Sequence, residues 1–501
     1  MTNTKPVRIR IAPSPTGDVH VGTGRTALYD YLFVKQTGGT FIMRIDDTDL
    51  ARNTAHAEAG VYHGLHWLGL DWTEGPDKGG PHAPYRQSER LALYQQYAEQ
   101  LLAAGHAYYC YCTAEELEAL RALQTAAKED PRYSGKCRDL SASAREALSA
   151  SGRIPTIRLK VKGKVIGFDD LVRGWIETDT SLMGDFIIMK SNGIPVYNYA
   201  TVIDDNLMEI THVTRAAEHI VNTFPQLLIY AALGWPTPFF AHFSTMLNED
   251  KSKLSKRKGA TFIGQYAEMG YLPEAMVNFL AFLGWSPGDS DEEMYTLDEL
   301  VEKFSFARCT ASNAIFDIKK FDWLNAKWIR KLAPEDLAKR ILPFLRKAGL
   351  ADADVDINWL TRMTTLIQER MVRLDEAPAV AAVFFQEPAA VPEEVRAVLG
   401  SVDGGAMLSA VASVLSKVNW TEADIEGALR SLQGELGLST KVYFMTLRLA
   451  VTGSKVSPPL FASIEVIGRE RVLRRIENLG VSLGDTGVRH PDPQQPVPGS
   501  V

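Results

Sequence analysis

Residues 7–12, VRIRIA, alternate in polarity and carry β-branched side chains, and Pro13 and Pro15 follow at once. Such a run reads as a strand, and proline, with no N–H and a fixed φ, forbids its extension. From His20 the chain becomes helix-compatible, with Leu28, Tyr31 and Leu32 at helical spacing, and Gly38-Gly39 supplies a stop before the next strand-like run, TFIMRID. Strand, loop, helix and strand in this order predict a parallel pair joined by a helical crossover. Sheets of this kind take ligands at the carboxyl ends of their strands, where the PSPTG loop sits. The expected fold class is therefore α/β with a parallel sheet.

The 501 residues exceed what one core usually serves. A helix with Leu91, Tyr94, Ala98 and Leu101 runs to Gly105, and a cysteine-bearing segment of mixed character follows to about residue 190, read as an insertion between two sheet halves. DFIIMK and VYNYATVIDD read as strands, and the helix around NTFPQLLIYAALG completes the alternating part. From about residue 325 almost every segment has helical period, including DLAKRILPFLRKAG, NWLTRMTTLIQERM and TEADIEGALRSLQGELG, so an all-α region is expected. The final PDPQQPVPGSV has no core-forming pattern and reads as a flexible tail.

No stretch approaches the roughly 20 apolar residues of a membrane span, and MTNTKPVRIR lacks the apolar core of a signal peptide, so a cytoplasmic protein without a membrane partner is expected. Cys110, Cys112, Cys137 and Cys309 are too few and too unevenly placed for a disulfide framework in so long a chain. A net charge of −7 argues against a uniformly basic surface but leaves room for a local basic face.

A helix N-terminus offers unpaired N–H groups and partial positive charge, so His20 with Gly22 can meet a phosphate there; alone, the same residues suit a helix cap. A second element, NEDKSKLSKRKG at 248–259, concentrates Lys251, Lys253, Lys256, Arg257 and Lys258. In isolation it reads as a solvated charge run. Placed on the same sheet as His-x-Gly, the two could grip a triphosphate from both sides.

PSPTGDVHVG, RIDDTD, EGPDKGGPHAPYRQSER, VYNYATVIDDNLMEITHVTRAAEH, KLSKRKG and the helical C-terminal third together resemble the bacterial glutamyl-tRNA synthetases, class I aminoacyl-tRNA synthetases, over nearly the whole chain. The family's His-Ile-Gly-His signature stands here as His20-Val21-Gly22-Thr23. The resemblance implies a Rossmann-type catalytic domain in two halves, 1–88 and 198–241, and an inserted acceptor-end-binding subdomain, 89–197. It further implies a stem-contact region with the KLSKR loop, 242–330, an all-helical anticodon-binding region, 331–485, and a tail, 486–501.

The implied reaction is attack of the glutamate α-carboxylate on the α-phosphorus of ATP, with Mg2+, followed by transfer of glutamate to the terminal ribose of tRNA(Glu), releasing AMP and diphosphate. Catalysis then rests on positioning and on cations, which assigns catalytic roles to His20, Lys253 and Lys256. Thr16, His20, Gly22, Glu218, Leu254, Ser255 and Lys256 are implied at ATP, and Arg10, Ala12, Ser14, Asp46, Tyr197 and Arg215 at glutamate. Asp46 stands where most of the family carries Glu, as is typical of glutaminyl relatives, whereas a buried Arg215 suits a carboxylate and not an amide. Arg370 matches an arginine near the anticodon. Cys110, Cys112 and Cys137 resemble a zinc-binding insertion, with Tyr133 or Asp139 as fourth ligand, and equally suit three reduced thiols in a packed subdomain. A monomer is expected. Alternative readings are an enzyme that also charges tRNA(Gln), a glutaminyl-tRNA synthetase, a small-molecule nucleotidyltransferase, which leaves residues 325–485 unexplained, and a pure RNA-binding module, which inability to release pyrophosphate from ATP with glutamate and tRNA would favour.

Overall fold

The computed structural model describes residues 5–15, 17–48, 55–254, 260–288, 291–388 and 391–484. Thr16, Ser255, Lys256 and the tail 486–501 lie outside the described residues. The chain divides into two units, Met1–Leu324 and Asn325–Val501.

In the first unit β1 (Arg8–Ile11) ends at the proline loop, and helix Val21–Thr37 carries the chain to β2 (Thr40–Met43). The helix stops at Gly38, whose φ of 64° is the left-handed conformation that glycine adopts without penalty. β1 and β2 are parallel, Arg8 opposite Thr40 and Ile11 opposite Met43, as the strand, helix, strand order predicts. Helix Leu91–Ala103 follows, burying Tyr94, Ala98 and Leu101. The next segment builds its own antiparallel sheet from β3 (Ala107–Cys110), β4 (Thr156–Leu159) and, beyond β5 (Val165–Asp170) and β6 (Gly174–Asp179), β7 (Phe186–Met189). With β8 (His212–Ala216) and β9 (Phe239–Phe243), the main sheet has six strands in the order β2-β1-β8-β9-β5-β6. All neighbours in it are parallel except the β5-β6 hairpin.

Two expectations are corrected. The insertion does not stand apart from the sheet up to residue 190: the hairpin Val165–Asp179 returns to extend the six-stranded sheet through β9. Phe168 fastens it, packing edge-on against Phe224 and Phe240 in a shared core with Ile42, Tyr85 and Val213. Second, VYNYATVIDD is not a strand but the helix Tyr197–Leu207. Its β-branched Thr201, Val202 and Ile203 favour the strand reading, but Tyr199, Val202 and Ile203 also recur at helical spacing. All three are buried against helix Leu91–Ala103 and the three-stranded sheet. Packing on two surfaces at once selects the helical period.

In the second unit the described residues are helical, including Pro334–Lys347, Ile357–Ile367 and Glu422–Glu435, each at a segment with apolar residues of period 3.6. The first buries Leu337, Ala338, Ile341 and Leu345 and exposes its charges, and Pro334 opens it at a position where no N–H is required. No single helix among the described residues is long and apolar enough to cross a membrane.

Candidate active site

Because β1, β2, β8, β9 and β5 are parallel, their carboxyl ends meet at one edge, and there a cavity of about 530 Å³ opens. Arg10, Ala12 and Ser14 reach it from β1 and the proline loop, Asp46 from beyond β2, and Arg215 and Glu218 from β8 and its end. His20 and Gly22 line it from the start of the first helix, Tyr197 from the start of Tyr197–Leu207, and Lys253 and Leu254 from the basic segment. Every described residue expected at ATP or glutamate thus faces one cavity. His20 Nδ1 caps the helix, accepting from Gly22 N–H at 3.0 Å, and its ring lines the cavity. A Cβ at Gly22 would stand 3.1 Å from His20 Nδ1, so a side chain there would press on the capping ring. Lys253 lies 3.8 Å from Glu218 at the exposed rim.

The floor is a charge network that sequence reasoning missed. Arg10 donates from Nε and Nη2 to both oxygens of Asp205, at 2.9 and 3.1 Å. Arg44 donates to Asp46 from Nε at 2.7 Å and to Asp205 from Nη1 at 2.6 Å. Arg90 donates to Asp204, which also accepts from Gln87 and Tyr94. These groups are buried, so the three arginines and three aspartates neutralise one another in a medium where an unmatched charge is costly. Arg44 divides its charge over several carboxylates, and burial pushes Asp46 up to about 6. Asp30, also buried, is pushed up by burial to about 8 and is mostly protonated at neutral pH. The signal for this network was a charged residue inside each apolar run, Arg44 in FIMRID and Asp204-Asp205 in TVIDD.

Arg215 differs. It is buried, and its hydrogen bonds among the described residues include neutral acceptors, Nε to His242 Nε2 at 3.0 Å and Nη2 to Thr223 Oγ1 at 2.7 Å and to Gln226 Oε1 at 2.8 Å. Nη1 has no hydrogen-bond partner among the described residues. Burial lowers its pKa. A guanidinium held this way on a cavity wall presents an unneutralised positive charge to whatever enters.

In the three-stranded sheet, Cys110, Cys112 and Cys137 place their sulfurs within 4.8 Å of one another. Tyr133 Oη lies 3.4 Å from Cys110 Sγ and 3.5 Å from Cys112 Sγ, and the Cys112 and Cys137 sulfurs are 3.6 Å apart. Tetrahedral zinc with ligands at its usual bond lengths separates them by roughly 3.5–3.8 Å, so this donor set fits. Asp139 is exposed and outside the cluster. In the second unit, Arg370 donates to the Ser457 carbonyl beside a groove lined by Val383, Ser454, Val456 and Pro458.

The pattern of "tRNA synthetases class I (E and Q), catalytic domain" matches residues 6–323, and that of "Anticodon binding domain" matches 336–479. The chain is 46% identical over 476 residues to a glutamate–tRNA ligase of Symbiobacterium thermophilum, covering 94% of this chain and 99% of that one. It is likewise 46% identical over 478 residues to one of Carboxydothermus hydrogenoformans, with the same coverage. A glutamate tRNA ligase of Elizabethkingia meningosepticum, solved in complex with its amino acid, superposes with a TM-score of 0.88 at 32% identity, over 96% of this chain and 100% of that one. Cavity, parallel sheet, helical second unit and near-full-length identity agree: the chain belongs to the glutamate–tRNA ligase family of class I tRNA synthetases.

Proposed function

We propose that this protein ligates L-glutamate to tRNA(Glu) through a glutamyl-adenylate, with ATP as co-substrate and AMP and diphosphate as products. The observation that carries this is Arg215, a buried cation with an open Nη1 and no carboxylate of its own. Glutamate brings a net charge of −1 and cancels it; glutamine brings none and leaves a buried charge unpaired. The named relatives support the same choice, and against this charge the shorter Asp46 does not make the pocket a glutamine site.

In this reading Asp46 accepts the substrate ammonium, Arg10, Ala12, Ser14 and Tyr197 enclose the amino acid, and Arg215 holds the side-chain carboxylate. The family uses ATP as substrate, generally with Mg2+, and the ion enters on the phosphates, where it supplies charge neutralisation. His20 sits at the positive end of a 17-residue helix, where its ring and the Gly22 backbone meet the phosphates. Thr16, Gly22, Glu218, Leu254 and Ser255 surround the nucleotide in this reading, and Lys253 and Lys256 stabilise charge that develops on the phosphates as the carboxylate attacks. The inserted segment receives the tRNA acceptor end, residues 242–330 contact the stem, and the helical unit, with Arg370, receives the anticodon. Cys110, Cys112, Cys137 and Tyr133 hold a structural zinc that braces the inserted segment. The protein acts as a monomer in the cytoplasm.

The test is Arg215→Gln. It should cost most of the glutamate-charging activity and narrow the preference for glutamate over glutamine. Unchanged glutamate saturation, with a raised and more salt-dependent tRNA Michaelis constant, would assign Arg215 to tRNA phosphate instead.

A further inference from the structure

Arg10, Arg44 and Arg90 are each held by carboxylates, so their charge is already matched. Arg215 is held just as firmly without one, and the group responsible on its Nε side is His242. His242 is fully buried on β9, its ring beside those of Phe168 and Phe240. Its Nδ1 lies 2.6 Å from Asp170 Oδ2. Asp170, at the end of β5, also accepts the backbone N–H of Val172, Arg173 and His242, so its carboxylate is anchored. An acceptor fixed at that distance puts the imidazole proton on Nδ1 and leaves the Nε2 lone pair facing outward. That lone pair accepts from Arg215 Nε at 3.0 Å, and the Thr223 hydroxyl lies 3.1 Å from the same nitrogen. Burial lowers the His242 pKa, which keeps the ring neutral.

We propose that His242, with its tautomer set by Asp170, is a positioning residue that aims Arg215 at the substrate's side-chain carboxylate while contributing no negative charge. The proposal rests on the reading of Arg215 as the carboxylate-binding residue. A carboxylate at position 242 would hold Arg215 equally well but would cancel the charge on which discrimination depends. The imidazole stands between the two, with the negative charge of Asp170 one ring further away. The arrangement also accounts for the return of the β5-β6 hairpin to the main sheet, since β5 delivers Asp170 to β9.

The experiment is steady-state tRNA charging by the full chain with glutamate varied. His242→Met, similar in bulk but without an acceptor, should raise the glutamate KM at least about tenfold, with kcat and the ATP KM within about threefold of wild type, because side-chain binding is uniform across ground and transition states. His242→Gln, which returns an acceptor oxygen near the Nε2 position, should recover most of that loss. Asp170→Asn places an N–H against Nδ1, pushes the ring proton to Nε2 and should act like His242→Met; it serves in its place if His242→Met does not yield soluble protein. A concerted fall in kcat and rise in every KM with a lowered Tm, or no recovery by His242→Gln, would show a merely structural role and overturn the proposal. If Arg215→Gln raises the glutamate KM and His242→Met does not, the positioning role is refuted and the pocket reading stands. If Arg215→Gln leaves glutamate KM unchanged, the pocket reading fails first.

Discussion

Asp205→Asn tests whether the site floor is a balanced set of buried charges. The substitution preserves shape but replaces an acceptor oxygen with an amide that opposes Arg10 Nη2, and it removes the carboxylate shared by Arg10 and Arg44. All three side chains are at most 5% exposed, so the two guanidinium groups have no route to water. Breaking a buried pair by removing one partner costs about 3–5 kcal/mol. An unfolding entropy of about 2.1 cal/mol/K per residue over the unit Met1–Leu324 gives roughly 0.7 kcal/mol/K, so the loss should lower its Tm by about 4–7 °C. Differential scanning calorimetry of the full chain reads this directly. The control is Asp71→Asn, whose carboxylate is 63% exposed beside Lys78 and should shift Tm by less than about 1.5 °C. A shift for Asp205→Asn no larger than the control's would refute the shared counter-ion and the charge count built on it.

Asp46 is held up near 6 by burial, so its anion, the form that accepts the substrate ammonium in the proposed reading, is lost as pH falls through that value. The glutamate KM should rise below about pH 6, and Asp46→Asn should raise it at neutral pH and flatten the profile. The sign for stability is opposite: a carboxyl raised above its unfolded value binds its proton more tightly when folded, so this group favours the folded state as pH drops from about 6 toward 4. Protein purified without chelator should carry about one zinc per chain; Tyr133→Phe should weaken retention and Asp139→Ala should not, and a metal-free, folded, active protein would remove the zinc assignment. Pyrophosphate exchange with glutamate and ATP should stay negligible until cognate tRNA is added, as expected if the acceptor end completes the ATP site by induced fit.

Much of the architecture is determined locally and is therefore legible along the chain. Prolines 13 and 15 end a strand whatever surrounds it, Gly38 ends a helix because glycine adopts the required φ without penalty, and a period of 3.6 over the last third favours helices with one buried face. The parallel pairing of β1 and β2 follows from the same signals, and with it the edge at which a ligand must sit. Residues of the cavity were readable where a short motif brings several together, as in PSPTGDVHVG, or where basic residues cluster, as in the KLSKR loop.

What tertiary structure decided is every feature that depends on residues distant in sequence. Whether VYNYATVIDD is strand or helix turned on which surfaces its apolar residues would meet, and the hairpin at 165–179 joins the sheet where Phe168 meets Phe224 and Phe240 and Asp170 meets His242. The partners of the arginines were decided in the same way. Arg10 and Arg215 are chemically identical, yet one meets Asp205 across 195 positions and is neutralised, while the other meets His242 across 27 and keeps its charge. No local pattern encodes that difference, because the energy of a buried charge is set by its nearest neighbours in space, and those exist only once the chain has folded.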